Sequence, residues 1–295
     1  MGLLIPIRYN RRSYPDGIQS SIREVPGHLD VVSIGKVNNY SLHTEYSARD
    51  RKLNSPLLQR LQTIRMANID GVPQLWRNGH WAEEFVEFIQ AIIGENEPPM
   101  LIEIHPPFRD YCPSLEEFCS VYKIFEERIS SIYPKTEILI ENRFGTTYKK
   151  GKFLISSYLD VVDLVSQLHG SGLRLKIVLD VPQLISQMGD VSRISSSQLE
   201  AMFAALKPCR TGIRSIHLWG KRRNDKGRWC AHAGNLDTYF EGNHGMKENF
   251  LAGLYDLLND GQARYFVPEV NSNQDVASIV GDLLSVGFEF QNSMC

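Results

Sequence analysis

Four short apolar runs in the chain each end in a carboxylate or imidazole side chain. The runs read EILIE, LKIVLD, IRSIH and YFVPE, and their last residues are Glu141, Asp180, His217 and Glu269. Continuous apolar, β-branched runs are typical of parallel strands that are buried on both faces. A charged group that ends such a strand has to lie where the sheet meets solvent or a ligand. Because helical segments separate the four runs, we expect their ends to converge on a metal ion.

Eight segments have the composition of strands, and amphipathic helical patterns separate the later ones. The strand segments are residues 3–8, 29–34, 62–69, 100–105, 137–141, 175–180, 213–218 and 264–269. Alternating strands and helices form either an open doubly wound sheet or a closed barrel. No glycine-rich phosphate motif follows the first strand, and the polar ends occur on successive strands, which favours the barrel. We therefore expect a single (β/α)8 TIM-barrel domain over residues 1–295.

The composition agrees with a soluble globular chain. With 32 basic and 34 acidic residues, the near-neutral charge gives no general attraction to nucleic acid or to an anionic membrane. The 5 cysteines are odd in number and form no C-x-x-C pair, which favours a reducing compartment. The apolar N-terminal run is too short for a signal sequence, and no stretch is long enough to span a membrane. We expect a cytoplasmic protein without a membrane partner.

Three carboxylates and one imidazole form a ligand set for Mn²⁺, Mg²⁺, Co²⁺ or Zn²⁺, and they lack the thiolates of a structural zinc site. Any one of these residues alone is more simply a solvated strand cap, but four on successive strands favour a shared site. We expect one divalent ion and no nucleotide cofactor, since no phosphate-binding loop is present. The bound ion would serve an enzyme.

A basic segment follows His217 directly. Residues 220–245 form the longest irregular stretch, and Lys221, Arg222, Arg223, Lys226 and Arg228 lie within it between two tryptophans. Such a cluster binds a substrate phosphate, an acid sugar or a nucleic-acid backbone, or is a solvated charge run. These alternatives stay open.

Four segments of the chain resemble a known family. ILIENRFG, VLDVPQ, SIHLWG and FVPE resemble strands five to eight of the xylose-isomerase-like TIM-barrel superfamily, which includes sugar isomerases, ketose 3-epimerases and type IV apurinic endonucleases. The resemblance covers residues 100–285 best. It implies that Glu141, Asp180, His217 and Glu269 bind one divalent ion.

The epimerase-like branch of this superfamily needs only those four ligands. The resemblance then implies an isomerase or epimerase of a small sugar or sugar-like, anionic substrate. Glu141 and Glu269 would remove and return a carbon-bound proton while the metal stabilises an enediolate. The residues expected to contact the substrate are His105, Arg143, Gln183, Lys221, Arg222, Cys230 and His232.

The endonuclease-like branch is the alternative, and it implies a metal-dependent phosphodiesterase. The chain resembles this branch at His105, at Glu141 with Asn142, and at His232. It departs where Gln183 and Cys230 replace two ligands of a three-metal cluster, and residues 62–69 hold no histidine for the third strand. A third alternative is a barrel that binds a sugar or a metal without turnover. The expected partner is a small-molecule substrate, with nucleic acid only under the endonuclease alternative, and homo-oligomer formation stays open.

Overall fold

A computed structural model describes residues 1–47, 50–145 and 151–292, so Cys295 lies outside the described residues. The strands are β1 (Gly2–Arg8), β2 (Ile22–Gly27), β3 (Tyr40–Thr44), β4 (Asn68–Ile69), β5 (Val72–Pro73), β6 (Leu101–Ile104), β7 (Glu137–Glu141), β8 (Lys176–Asp180), β9 (Ile213–Leu218), β10 (Lys221–Arg223), β11 (Trp229–Ala231), β12 (Ala263–Pro268) and β13 (Phe288–Phe290). The α-helices are α1 (Gln62–Met66), α2 (Gly79–Ile93), α3 (Leu115–Ile132), α4 (Tyr158–Leu168), α5 (Val181–Met188), α6 (Ser196–Leu206), α7 (Leu236–Tyr239), α8 (His244–Leu258) and α9 (Asn273–Ser285), and 3₁₀ helices cover Val191–Arg193 and Lys207–Gly212.

The main sheet is parallel and closed. Its strand order is β12–β9–β8–β7–β6–β3–β2–β1–β13, and β1 also pairs with β12. The short strand β13 pairs with residues 2–4 of β1, whereas β2 pairs with residues 7–8, so the two share one side of β1. With the intervening helices this is a (β/α)8 barrel, which confirms the predicted fold class.

The described residues divide into two compact units, each with its own buried core. The terminal unit comprises Met1–Glu24 and Ile177–Cys295, and the central unit comprises Val25–Lys176. The assignment of the whole chain to one domain stays a prediction. No helix of the described residues is long and apolar enough to cross a membrane.

The structure confirms the predicted first strand at 3–8, which is β1, and the later strands, whereas two other early predictions are wrong. The structure confirms the predicted strands at 137–141 and 213–218 and shifts those at 100–105, 175–180 and 264–269 by one residue or so. The predicted strand at 29–34 is wrong. The strand lies at Ile22–Gly27 instead, and Val31 N donates to His28 O in a turn. Leu29 is a buried core residue of this segment, but residues 29–34 form a turn and a bend rather than a strand.

The predicted strand at 62–69 is also wrong, because most of this segment is helix α1. The backbone N–H groups of Thr63 and Ile64, in the first turn, donate to the two carboxylate oxygens of Glu84 at 3.0 and 2.9 Å. The first N–H groups of a helix have no partner within it, so a carboxylate supplied by α2 stabilises this start. The partner lies on another helix, and the local sequence therefore does not reveal it.

The segment 220–245, expected to be irregular, is partly ordered. Strands β10 and β11 form an antiparallel hairpin in which Arg222 lies opposite Cys230. Helix α7 follows, and the side chain of Asn235 caps it by accepting from Thr238 N. The expectation of a structureless loop is wrong because alternating side chains and a tight turn at Gly227 allow strand pairing.

Arg264 fixes the amino-terminal ends of neighbouring strands in the terminal unit. Its side chain is fully buried, its Nε donates to Ile213 O, and its Nη atoms reach Leu258 O and Arg210 O. Both Nη atoms also bind the Asp260 carboxylate at 2.8 Å. A buried guanidinium is tolerated only when its donors and its charge are satisfied in this way.

We expect Arg264→Met to lower the free energy of unfolding by about 3–5 kcal/mol, since it leaves Asp260 and several carbonyl oxygens without their donor. The exposed Arg193 offers a matched control, and Arg193→Met should change stability by about 0.5 kcal/mol or less. Urea unfolding monitored by circular dichroism measures both. Equal stabilities for the two variants would contradict the role of Arg264.

Candidate functional site

Three side chains of the central unit meet at one point. His105 Nε2 lies 3.0 Å from His43 Nε2 and 3.0 Å from Glu141 Oε2. His43 Nε2 is 3.4 Å from the same Glu141 oxygen. His105 and Glu141 are almost fully buried, and His43 is partly exposed. We call these residues the His–His–Glu group.

Strand register brings these three residues together. His43 lies on β3, His105 directly follows β6, and Glu141 is the last residue of β7. Ile104 pairs with Ile140, so His105 and Glu141 stand at the same level of the ladder. The expectation that the third strand lacks a histidine is wrong, because β3 is Tyr40–Thr44 and carries His43.

A backbone carbonyl lies within hydrogen-bond distance of the His105 ring. Its Nδ1 is 3.2 Å from Glu45 O, and since a carbonyl oxygen only accepts, the Nδ1–H tautomer satisfies this contact. Trp76 Nε1 in turn donates to His105 O at 2.7 Å. Burial lowers the pKa of His105 to about 4, against the hydrogen bond and charge of Glu141, and the charges of His43 and Arg143 lower it further. His105 is therefore neutral at pH 7, and in the Nδ1–H tautomer it directs a lone pair from Nε2.

This arrangement fits a cation. In the Nδ1–H tautomer, the Nε2 lone pair of His105 faces a carboxylate oxygen of Glu141 at 3.0 Å, and two acceptors at this distance repel unless a proton or metal ion lies between them. Ligand bonds of about 2.0–2.1 Å in a tetrahedral site place ligand atoms roughly 3.3 Å apart. The three observed separations are 3.0, 3.0 and 3.4 Å. Two imidazoles and a carboxylate with a further position left for substrate are a ligand set for a catalytic divalent ion.

A rigid turn after β3 carries an aromatic ring to the side of the His–His–Glu group. The Glu45 carboxylate accepts from the backbone N–H of Tyr46 at 3.0 Å and of Ser47 at 2.8 Å, and from Arg51 Nε at 2.8 Å. The Tyr46 ring centroid then lies 5.7 Å from that of His105. The guanidinium carbons of Arg51 and Arg143 lie 5.2 and 4.9 Å from the same ring centroid.

The terminal unit holds a second ligand group, formed by Asp180, His217 and Glu269. Asp180 ends β8 and pairs in register with His217 on β9. Glu269 directly follows β12, its N–H donates to Leu218 O, and its Oε1 lies 3.4 Å from His217 Nδ1. All three are almost fully buried. We call these residues the Asp–His–Glu group.

Trp219 and His232 surround this second group. Trp219 Nε1 lies 3.0 Å from both carboxylate oxygens of Asp180, and Gln183 N donates to Asp180 Oδ1 at 3.0 Å. His232 Nδ1 is 3.0 Å from Glu269 O, and its ring lies between those of Trp219 and Tyr9. Asp180 therefore has a fixed orientation, which a metal ligand requires.

The basic hairpin β10–β11 stacks its cations on aromatic rings. Arg223 and Lys221 lie 4.1 and 4.6 Å from the centroid of Trp229, and Lys221 lies 5.1 Å from that of Tyr239. Burial lowers the pKa of Lys221. Arg222 is 4.0 Å from the Asp275 carboxylate. The Cys230 thiol lies 3.9 Å from Arg228 O, and neither of the two ligand groups includes it.

The four-residue ligand set predicted from the sequence falls into both units, with Glu141 in the central unit and the other three in the terminal unit. A shared site therefore stays a prediction, as do the substrate contacts of Gln183, Lys221, Arg222, Cys230 and His232. Sequence reasoning missed His43 and Tyr46, and it placed Trp219 beside the basic cluster without connecting it to Asp180. The signal for His43 is the alternation in YSLHT, where polar Ser41 and His43 lie between β-forming residues.

Comparisons with known proteins give structural similarity only. No protein-family model and no curated protein sequence matches the chain. The fold is similar to that of a probable 3-DHS dehydratase, AsbF, involved in petrobactin synthesis in Bacillus anthracis, with 11% identity over 83% of this chain and 75% of that chain and a TM-score of 0.44. It is also similar to a xylose isomerase domain protein from Planctomyces limnophilus, with 12% identity, 97% and 96% coverage and a TM-score of 0.44. A thermostable mutant of xylanase Xyn10A from Cellvibrio japonicus has 9% identity, 84% and 79% coverage and a TM-score of 0.43.

The lowered pKa of His105 predicts a pH dependence of stability in metal-free protein. Between pH 6.5, its ordinary pKa, and about 4, the unfolded chain takes up a proton at His105 that the folded chain does not. The contribution of neutral His105 is complete above pH 6.5 and is lost as the pH falls to about 4. Over this window it amounts to roughly 3 kcal/mol.

Denaturant unfolding in the presence of a chelator measures this effect. His105→Gln should flatten the fall in stability between pH 6.5 and 4, relative to the unmodified chain. The control is His80→Gln, since the His80 side chain is 85% exposed, and it should keep the original slope. Identical slopes for all three proteins would contradict a buried, neutral His105.

Proposed function

We propose that this protein is a divalent-metal-dependent phosphodiesterase, and the His–His–Glu group carries the proposal. Proton transfer through an enediolate needs one ion and carboxylate bases, and it gives a second group of two imidazoles and a carboxylate no role. The same ligand set is the one that hydrolytic zinc enzymes use to activate water. A hydrolytic reaction therefore accounts for more of the buried polar residues.

His43, His105 and Glu141 would hold one ion, and Asp180, His217 and Glu269 would hold a second. A divalent ion bound in such a site polarises a phosphoryl oxygen and lowers the pKa of a water molecule. The chain's own residues set the geometry. Glu45 O favours the Nδ1–H tautomer of His105, in which Nε2 can act as a ligand at neutral pH.

The corrected position of β3 strengthens the resemblance to the endonuclease-like branch. His43 on β3 supplies the histidine that residues 62–69 lack, which removes one of the three departures from that pattern. Gln183 and Cys230 remain as departures, so a third ion has no support. The sequence predicts one ion, and the His–His–Glu group supports a second.

A metal-dependent sugar isomerase or epimerase is the second candidate, and the Asp–His–Glu group favours it. Glu269 Oε1 lies beside His217 while Oε2 is 3.5 Å from His232 Nδ1. A carboxylate can bind metal with one oxygen and meet a substrate proton with the other. Under this proposal Glu269 is a base, and the substrate is a small polyhydroxylated compound.

Hydrolysis of a phosphodiester tests the first proposal. We expect the protein loaded with Zn²⁺ or Mn²⁺ to hydrolyse bis(p-nitrophenyl) phosphate or to cleave an abasic DNA duplex. His105→Gln should lower kcat/KM by about a hundredfold or more, because it removes a ligand. His80→Gln is the control and should leave the rate unchanged, since His80 is exposed.

The isomerase proposal has its own measurement. Incorporation of solvent deuterium into a sugar carbon, across a panel of ketoses and ketose phosphates, would favour proton transfer over hydrolysis. Loss of that exchange in Glu269→Gln would assign the base. A metal-loaded protein with neither hydrolysis nor exchange would contradict both candidates and favour a barrel that binds without turnover.

Trp219 gives a separate prediction about metal affinity. Trp219→Phe keeps most of the ring but removes the N–H that holds both Asp180 oxygens, and we expect Mn²⁺ affinity to fall by about 10–100-fold. Isothermal titration calorimetry measures the change. Trp229→Phe is the matched control, because Trp229 lies on the hairpin and is 38% exposed. Equal affinities in the two variants would show that Trp219 does not position a ligand.

A further inference from the structure

Arg143 of the central unit places its guanidinium group over the Tyr46 ring. Its guanidinium carbon lies 4.9 Å from the Tyr46 ring centroid, and its backbone N–H donates to Ile155 O. Its Nε is buried and has no hydrogen-bond partner among the described residues. No ion pair joins Arg143 to a carboxylate within those residues. A buried guanidinium N–H without an acceptor costs free energy, and a ligand that accepts from it would remove that cost.

Arg51, the other guanidinium on Tyr46, differs in this respect. Its Nε donates to the buried Glu45 carboxylate at 2.8 Å, and its Nη1 is 4.0 Å from Asp30 Oδ2. Only 3% of its side chain is exposed, and its Nη2 has no hydrogen-bond partner among the described residues. Glu45 thus largely compensates the charge of Arg51, whereas no carboxylate among the residues that the structure describes pairs with Arg143.

The position of Tyr46 relates Arg143 to the His–His–Glu group. The Tyr46 ring centroid lies 6.1 Å from that of His43 and 5.7 Å from that of His105. The Glu45 carboxylate, through its hydrogen bonds to Tyr46 N and Ser47 N, fixes the turn that carries this ring. The guanidinium carbon of Arg143 and the ring centroids of His43 and His105 therefore all lie within 6.1 Å of the Tyr46 ring centroid.

We propose that Arg143 and the Tyr46 ring form a subsite for an anionic phosphate oxygen of the substrate, beside the His–His–Glu group. This inference rests on the proposed phosphodiesterase function for the identity of the ligand. Arg143 supplies planar paired donors that match two phosphate oxygens, and Tyr46 holds the guanidinium by a cation–π contact. Arg51, which is paired with Glu45, also contacts the Tyr46 ring.

Binding of dimethyl phosphate and of inorganic phosphate tests the subsite, measured by calorimetry on the Zn²⁺-loaded and the chelator-treated protein. We expect Arg143→Gln to weaken both ligands by about 10–100-fold in each state. The affinity of Arg143→Lys should lie between those of the unmodified protein and Arg143→Gln, because lysine keeps the charge and loses the paired donors. Tyr46→Leu should weaken binding by about two- to fivefold.

Arg77→Gln is the matched control, since Arg77 of the same unit is exposed and donates to Gln74 Oε1. It should bind both ligands as the unmodified chain does. Thermal unfolding of each variant separates loss of binding from loss of the fold, and Arg143→Lys keeps the test usable if Arg143→Gln does not fold.

The two proposals fail separately in this experiment. Unchanged phosphate affinity in Arg143→Gln, or no phosphate binding by the unmodified protein, would overturn the subsite even if the protein hydrolyses phosphodiesters. Phosphate binding that depends on Arg143 in a protein without hydrolytic activity would support the subsite and reject the phosphodiesterase.

Discussion

One backbone carbonyl favours a particular tautomer of His105 in the His–His–Glu group. If Glu45 O accepts the Nδ1 proton of His105, Nε2 has a lone pair directed at Glu141 and His43. With the opposite tautomer, Nε2–H would simply donate to Glu141 and the three residues would be an ordinary buried hydrogen-bond network. A carbonyl oxygen outside the group thus favours the tautomer in which Nε2 of His105 can act as a ligand.

The same residue also determines the surroundings of the group through its side chain. The Glu45 carboxylate accepts from Tyr46 N, Ser47 N and Arg51 Nε, so it compensates the guanidinium of Arg51, whereas Arg143 has no ion-pair partner in the described part of the chain. Glu45 is 1% exposed, and a carboxylate so deeply buried requires donors of this kind. Ligand orientation and the local charge balance thus depend on one short turn after β3.

The sequence predicted the fold and part of the candidate site, for physical reasons that particular residues make clear. Strands β7 and β9 are continuous apolar runs because both faces are buried, and their ends are therefore visible in the sequence. Strand β3 carries polar Ser41 and His43 between buried Tyr40, Leu42 and Thr44, so its pattern is that of a half-exposed strand or a loop. Since His43 lies on that strand, the His–His–Glu group was missed with it.

Long-range partners explain the remaining failures. Helix α1 begins where the Glu84 carboxylate of α2 accepts its first N–H groups, and Tyr46 reaches His105 only through the Glu45 turn. Neither contact has a signature in the neighbouring residues. The sequence pattern predicts which residues end strands. The protonation state of those residues depends on contacts that only the three-dimensional structure shows.

The backbone of His232 is in a strained conformation, and its side chain makes contacts that glycine would lack. Its φ of 58° is in the left-handed region, where any residue except glycine loses about 1 kcal/mol. Glycine at this position would relax the backbone, yet it would give up the imidazole between Trp219 and Tyr9 and the contact from Nδ1 to Glu269 O. Relief of the backbone strain and loss of these side-chain contacts would therefore change stability in opposite directions at this position.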